Sequence, residues 1–487
     1  MHLNRREAVA LLSGLGLSAP FAKLRAASRD VAAYGLKADA SPAVNTAALQ
    51  QCLNDNAGTT IRIPGAQADY QLSGRITAPA GTSLVLDGAR LRWVATEAKG
   101  STFMRSPTRP GIDVIGDNFH LSGSGQIIGP SDRQYVAQEI GILCVGGGRD
   151  APRRGFTISD RVEVRNWGSI GIAAQFVTDV QVTHIQVSAC GYGGMRFMSC
   201  RNGKVLSNAV GAIGPGASGN AYGISCTHDS LNYDQDPQAT TDGRLAANPF
   251  CIGFEVAGNT VFDIPLWAGI DFHGAYECQV HKNSVYNCRH AILLQGSSNA
   301  GADFAGENNA VVDNVVTSSR QNGEPTTITE TTRLGISING GKRVRHRSIT
   351  VRNNTINGYG DPHNTSSSVQ HTNTAHVEII GNRITSWRGY ACYSANSEGV
   401  IQSNVFEAVA DPASTACIFV ALNGQLRIIE NRHDVSGQGA MYGLYINTAT
   451  DGPYVIQGND FRSATVQQYA GRNGARLSPT QIVGGHV

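Results

Sequence analysis

The sequence predicts an all-β solenoid, a coil of short strands stacked rung upon rung, and three observations predict it. Glycine is abundant at 57 residues, charged residues make up only 16%, and Asn-Gly, Gly-Asn and Asp-Gly pairs separate short β-branched runs, the pattern of many strands joined by tight turns. An asparagine closes one apolar strand after another, as in Val205-Leu206-Ser207-Asn208 and Ile379-Ile380-Gly381-Asn382, and the series runs Asn208, Asn259, Asn283, Asn314, Asn354, Asn382, Asn404, Asn431, Asn459. Gaps of 22 to 51 residues separate these asparagines, each one rung, a rung with inserted loops, or two rungs. The stretch Trp267 to Gly296 repeats itself: Ile270 and Phe272 alternate with Asp271 and His273, and 22 residues later Ile292 and Leu294 take the same places, with Gln295 where His273 stood. Successive side chains of a strand point to opposite faces, so one face is apolar and the other carries a carboxylate beside an imidazole.

Length fits the same reading. A chain of 487 residues is long for one compact core, yet no composition shift divides it, and a stacked core grows along one dimension without that limit. Net charge is +2, which supplies no basic field for nucleic acid. No apolar run beyond the N-terminus is long enough to span a membrane. At the N-terminus itself, Asn4-Arg5-Arg6-Glu7 precedes a small-residue apolar run from Ala8 to Ala22, which predicts a twin-arginine export signal over residues 1–28 and a periplasmic or secreted protein. Ten cysteines are scattered without metal-ligand spacing. They read as buried apolar residues between rungs, with Cys190/Cys200 and Cys278/Cys288 as candidate bridges.

In chain order, residues 29–83 form an entry module. Ala48, Leu49, Cys52 and Leu53 recur at helical spacing, predicting a short helix over Thr46 to Asn54 with Asn45 as N-cap. Strands follow at Thr60-Ile61-Arg62-Ile63-Pro64-Gly65 and Thr82-Ser83-Leu84-Val85-Leu86-Asp87-Gly88. This order, from Tyr34-Gly35-Leu36-Lys37-Ala38-Asp39 through the helix to strands ending Pro-Gly and Asp-Gly, resembles the N-terminal segment of the pectate-lyase-like superfamily. The resemblance implies a single-stranded right-handed parallel β-helix over residues 84–470, its open end covered by the short capping helix, with a tail at 471–487. Such a cap hides the first rung's apolar face and unpaired edge.

The asparagines serve as a ruler. Arg196 lies twelve residues before Asn208 and Asp271 twelve before Asn283, so the two belong to equivalent positions on different rungs. Asparagine tolerates a left-handed backbone and its amide can bond the next rung, so the series reads as a structural ladder at one corner rather than a row of ligands. The Gly-led strands at Gly194, Gly223, Gly269 and Gly335 direct Arg196, Ser225, Thr227, Asp271, His273, Gln295, Ser337 and Asn339 outward, along one face suited to an extended polymer. The longest insertions, His228 to Asn248 and Ser318 to Arg333, flank that face, where binding residues concentrate on rigid scaffolds. The first carries Asp229, Asp234, Asp236, Asp242 and Arg244; it reads as a solvated acidic loop, with Ca²⁺ as a candidate ligand although its spacing is not that of an EF-hand.

Asp271-Phe272-His273, followed by Cys278-Gln279-Val280-His281-Lys282-Asn283-Ser284-Val285, resembles the Asp-Pro-His segment of mannuronan C5-epimerases and related alginate-acting β-helices. Phe272 stands in place of the proline, and Ala268 where that family carries a catalytic tyrosine, a space that Tyr276 could fill. A second segment, Tyr359-Gly360-Asp361-Pro362-His363, carries the same triplet, but Asp361 lies twenty-one residues before Asn382 and reads as a turn. The expected chemistry acts on uronic acids: a cation neutralises the carboxylate, a base removes the C5 proton and an acid completes the step. Arg196 is the expected neutraliser, His273 the base or acid, and Asp271 its partner. His228, Asp229, Tyr276, Gln295, Asn339 and Arg244 are expected to contact the polysaccharide, without a resident metal. A lyase is the first expectation and a C5-epimerase the nearer alternative. A glycoside hydrolase would pair Asp271 with Asp229 or Glu255. A non-catalytic glycan-binding surface protein would show aromatic platforms, of which the outward column as read here holds none. Monomer and homotrimer both remain open.

Overall fold

The computed structural model describes residues 29–472, apart from 105, 132–133, 215–218, 229–248, 300–301, 322, 330–331, 342–343, 362–365, 411–414, 423–424, 435–439 and 448–453. The predicted export signal, Asp229, Arg244 and the C-terminal tail from 473 onward lie outside the described residues. Among those described, 38 strands join in one continuous sheet, paired in parallel from Arg29–Asp30 against Ile61–Arg62 to Tyr442–Asn447 against Gln467–Ala470. Each rung contributes three short strands, and the sheet coils through three faces. Long strands turn a corner without breaking: in Thr260–His273, residues up to Ile264 pair on one face and those from Ala268 on the next.

Alternation drives the coil. Thr60–Pro64 and Ser83–Asp87 bury every second residue, and the buried ones stack into columns such as Ile224, Ile270, Ile292, Ile336 and Val369. Burying one such side chain stabilises by about 1.5–3 kcal/mol, and each inner column repeats that gain at every rung. Glycine leads the strands of the site face for a steric reason. A Cβ on Gly269 would meet the Ala291 carbonyl oxygen at 2.8 Å and Val285 Cγ1 at 2.9 Å.

The asparagine ladder is continuous across all nine residues. Asn259 donates from both its backbone N–H and its side-chain Nδ2 to Asn283 Oδ1, each at 2.9 Å, and the same paired bonds run from Asn208 to Asn459. Each Nδ2 also bonds a carbonyl of the preceding rung, as Asn283 does to Val256 at 2.9 Å. Buried amides are thereby satisfied on both sides. The left-handed backbone falls one residue earlier than the sequence suggests, on Ser207, Gly258, Lys282 and Asp313 (φ 56°, 65°, 55° and 56°) and their counterparts. The asparagines themselves keep ordinary backbone and spend their side chains on the ladder.

The capping helix spans Pro42–Asp55, starting four residues before the predicted position, with Ser41 rather than Asn45 as N-cap. Pro42 occupies the first turn, where its missing N–H costs nothing. Asn45 is fully buried instead. Its Nδ2 donates to the Gln71 carbonyl at 3.1 Å, Thr46 Oγ1 donates to Ser73 O at 2.8 Å, and Gln50 accepts from Thr77 N at 2.7 Å and donates to Thr77 O at 2.9 Å. Helix side chains thus pair with strand groups that no earlier rung can reach. All ten cysteines are buried and unbridged, so Cys190/Cys200 and Cys278/Cys288 are thiols packed between rungs.

Candidate active site

Register brings the predicted column together. On the site face Arg196 pairs with Ser225, Ser225 with Asp271, Asp271 with Leu293, and Leu293 with Ser337. Arg196 and Asp271 therefore share a column, as the spacing predicts, with Ser225 between them and the apolar Leu293 interrupting it. Beside this column His273, Gln295, Asn339 and Thr372 form a second row.

Asp271 is fully buried. Its Oδ2 lies 2.7 Å from His273 Nδ1 and accepts from Ser225 Oγ at 3.1 Å. This arrangement places the donating N–H on Nδ1 and leaves Nε2 of His273, whose side chain is 23% exposed, free for the groove. Arg196 lies two rungs before Asp271, only 8% exposed, with its guanidinium 5.6 Å from the Tyr192 ring centroid and 5.4 Å from that of Tyr222, a cation–π clasp. Arg196 Nη1 also donates to the Tyr192 hydroxyl at 3.2 Å. The Tyr222 ring centroid is 6.4 Å from that of His273. Burial, reinforced by the Asp271 charge, pushes the Tyr222 hydroxyl far above the usual phenol range, so it stays a proton donor at neutral pH.

Buried polar atoms without a hydrogen-bond partner include Arg196 Nε, Asp271 Oδ1 and Ser337 Oγ of this column, and others farther along the coil such as Trp387 Nε1 and Ser394 Oγ. Folded proteins carry few such groups.

The other predicted residues divide. Gln295 and Asn339 continue the His273 row and are partly exposed, Asn339 Oδ1 accepting from Thr372 Oγ1 at 3.1 Å. His228 is buried, its ring edge-on to Phe250 and Phe304 at 4.6 and 4.5 Å, and burial holds its imidazole down at about 3, so it packs the wall of the site. Tyr276 leans on Phe250 at 5.1 Å; the ring beside His273 is Tyr222. Glu255, the hydrolase alternative, pairs on a different face with Gln279 and bonds His281 Nε2 at 3.1 Å. Asp361 lies in the turn ahead of the strand Ser367–Ile380, off the column. The acidic loop considered for Ca²⁺ lies outside the described residues.

Tyr192 and Tyr222 are what sequence reasoning missed. Tyr222 pairs with Gly193, the residue after Tyr192, and a tyrosine one or two residues ahead of the strand-leading Gly223 and Gly194 is the signal that could have found them. Farther along the same column Tyr393, Phe419 and Tyr445 are in register and stacked, with centroids 5.6 and 5.3 Å apart and planes within 6°. The outward column thus carries aromatic rings toward its C-terminal end, contrary to the sequence reading.

Residues 268–461 match the family described as right handed beta helix region. Among solved structures, gene product 12 of bacteriophage phi29 is 12% identical with a TM-score of 0.55, covering 98% of this chain and 60% of that one. The family 28 exopolygalacturonase of Yersinia enterocolitica is 16% identical over 81% of this chain and 78% of that one, with a TM-score of 0.49. The GH87 alpha-1,3-glucanase catalytic unit of Streptomyces thermodiastaticus is 12% identical over 90% and 70%, with a TM-score of 0.46. Curated protein sequences return no match. At such identities the likeness concerns fold alone, and this chain spans 60% of the phage protein's length. The observed coil and the family match agree on the fold: the chain is a right-handed parallel β-helix, matching the right handed beta helix region over residues 268–461.

Proposed function

We propose that this protein is an exported polysaccharide-active enzyme that cleaves a uronate-containing glycan by β-elimination. The observation that carries the reading is the His273 Nδ1–Asp271 Oδ2 contact of 2.7 Å, made by a buried carboxylate and a partly exposed imidazole. In this reading His273 Nε2 takes the C5 proton, and Asp271, buried and out of reach of the sugar, orients the ring and stabilises the imidazolium. As the C5–H electrons form the C4=C5 double bond, the C4–O bond breaks and the leaving oxygen takes a proton, a role we assign to the Tyr222 phenol, whose ring lies 6.4 Å from that of His273. Arg196, clasped between Tyr192 and Tyr222, supplies positive charge where the sugar carboxylate accumulates electron density.

Hydrolysis requires two carboxyl groups about 5–9.5 Å apart; Glu255 belongs to another face, and Asp229, the other candidate partner of Asp271, lies outside the described residues. Epimerisation shares the first step and differs in where the proton returns. Incubating the purified protein with alginate, pectate and other uronate polymers tests the reading. Ultraviolet absorbance from an unsaturated uronate end is the expected result. Silence across the panel, with polymer composition unchanged by NMR, would remove both lyase and epimerase; a changed uronate ratio without new absorbance would select the epimerase.

A further inference from the structure

We infer that the site takes its glycan by one end, the terminal sugar at His273 and the rest of the chain running only toward the C-terminal rungs. This rests on the function proposed above and adds the direction of binding. The observation is a change of exposure along one row. On the N-terminal side Gln175 pairs with Met198 and Met198 with Thr227, and the pairing of Cys226 with Phe272 sets Thr227 beside His273. Gln175, Met198 and Thr227 are 5%, 1% and 3% exposed. Val145, one rung before Gln175, is partly exposed, so the closed stretch is these three rungs; His273 emerges directly after them, and Gln295, Asn339 and Thr372 beyond it are all partly exposed.

What covers Gln175 and Met198 is a built element. The chain between Gly100 and Thr108 folds into a hairpin, Thr102–Phe103 against Ser106–Pro107, laid over the outer face of the preceding rungs. Phe103 is fully buried in an apolar cluster with Leu143, Ala173 and Met198, against which Tyr192 packs. Asp113 anchors the base of the hairpin, accepting from Ser101 N at 2.9 Å, Ser101 Oγ at 2.6 Å and Arg75 Nη1 at 3.2 Å. A polymer bound by its middle needs the track open on both sides of the reacting sugar. Here the N-terminal side is filled by protein, while the C-terminal side presents amide and hydroxyl groups one rung apart, about 4.8 Å, a polar track continuous with the proposed site.

Equilibrium binding to the full-length His273→Gln protein, which spares the ligand, tests this with uronate oligosaccharides of defined length in three forms: unmodified, bearing a bulky fluorophore at the reducing end, and bearing a bulky ether at the non-reducing end. Elimination at His273 breaks the C4–O bond of the sugar held there, so that sugar is the reducing end: the reducing-end fluorophore should lower affinity about tenfold or more, while the non-reducing-end ether binds like the unmodified oligosaccharide, and a loss confined to the ether would overturn the placement. Equal binding of both blocked forms would overturn end-on binding and leave the proposed function standing. Failure of every unmodified oligosaccharide to bind would overturn both.

Discussion

Tyr222 and Ala268 are cross-strand neighbours on adjacent rungs. A phenol from the rung before thus stands beside Ala268, where the epimerase resemblance implies one, with its ring 6.4 Å from that of His273. If Tyr222 is the proton donor, Tyr222→Phe should lower kcat about 10²-fold with an unchanged melting temperature. Tyr276→Phe, whose ring rests on Phe250, should stay close to wild type. Initial rates beside circular dichroism decide it; equal losses in the two variants would point to packing.

Asn283 receives two hydrogen bonds from Asn259 and donates one to Val256. Asn283→Ala leaves several buried polar groups unpaired, each costing about 1–3 kcal/mol, so a loss of roughly 3 kcal/mol or more is expected in denaturant titrations. The exposed Lys204→Ala should change stability by less than about 0.5 kcal/mol. Equal stability of the two variants would mean that the ladder contributes little.

Five buried imidazoles among the described residues make the fold sensitive to acid. Burial lowers His228, His290 and His371 to about 3 and His346 and His433 to about 4, against about 6.5 in an unfolded chain. Above 6.5 both states are neutral and stability is full. Below it the unfolded chain takes up protons that the folded chain cannot, and each group withdraws about 1.4 kcal/mol per pH unit until its folded value is reached. Melting temperature should therefore be level near pH 8 and fall steadily below pH 6; a flat profile down to pH 4.5 would contradict the burial of these rings.

Burial also pushes the thiols of Cys144, Cys190, Cys278 and Cys392 up to about 12. The native protein should resist thiol reagents at neutral pH, and denaturation without reductant should release all ten thiols. A bridge between Cys190 and Cys200 would show as two fewer.

Much of this architecture is legible in the sequence because its spacing is local. Twelve residues separate Arg196 from Asn208 and Asp271 from Asn283 with no insertion between, so counting alone puts Arg196 and Asp271 in one column. Counting fails across the long insertion after Thr227, which hides that Tyr222 stands beside Ala268. Alternation reveals which side chains point outward, and outward is not exposed: Ser225, Asp271 and Ser337 are all fully buried, as expected where rings and hairpins fold back over a face. The early start of the capping helix was readable from Ser41-Pro42, an N-cap followed by proline, but the stronger apolar spacing draws attention to the turn after it.

The most direct measurement compares wild type with His273→Gln on whichever uronate polymer responds, recording initial rates of unsaturated product together with melting temperature. A rate loss of about 10²-fold or more with the melting temperature held is the result expected if His273 transfers the proton. A variant that keeps its rate would contradict the central claim and move the chemistry away from the Asp271–His273 pair.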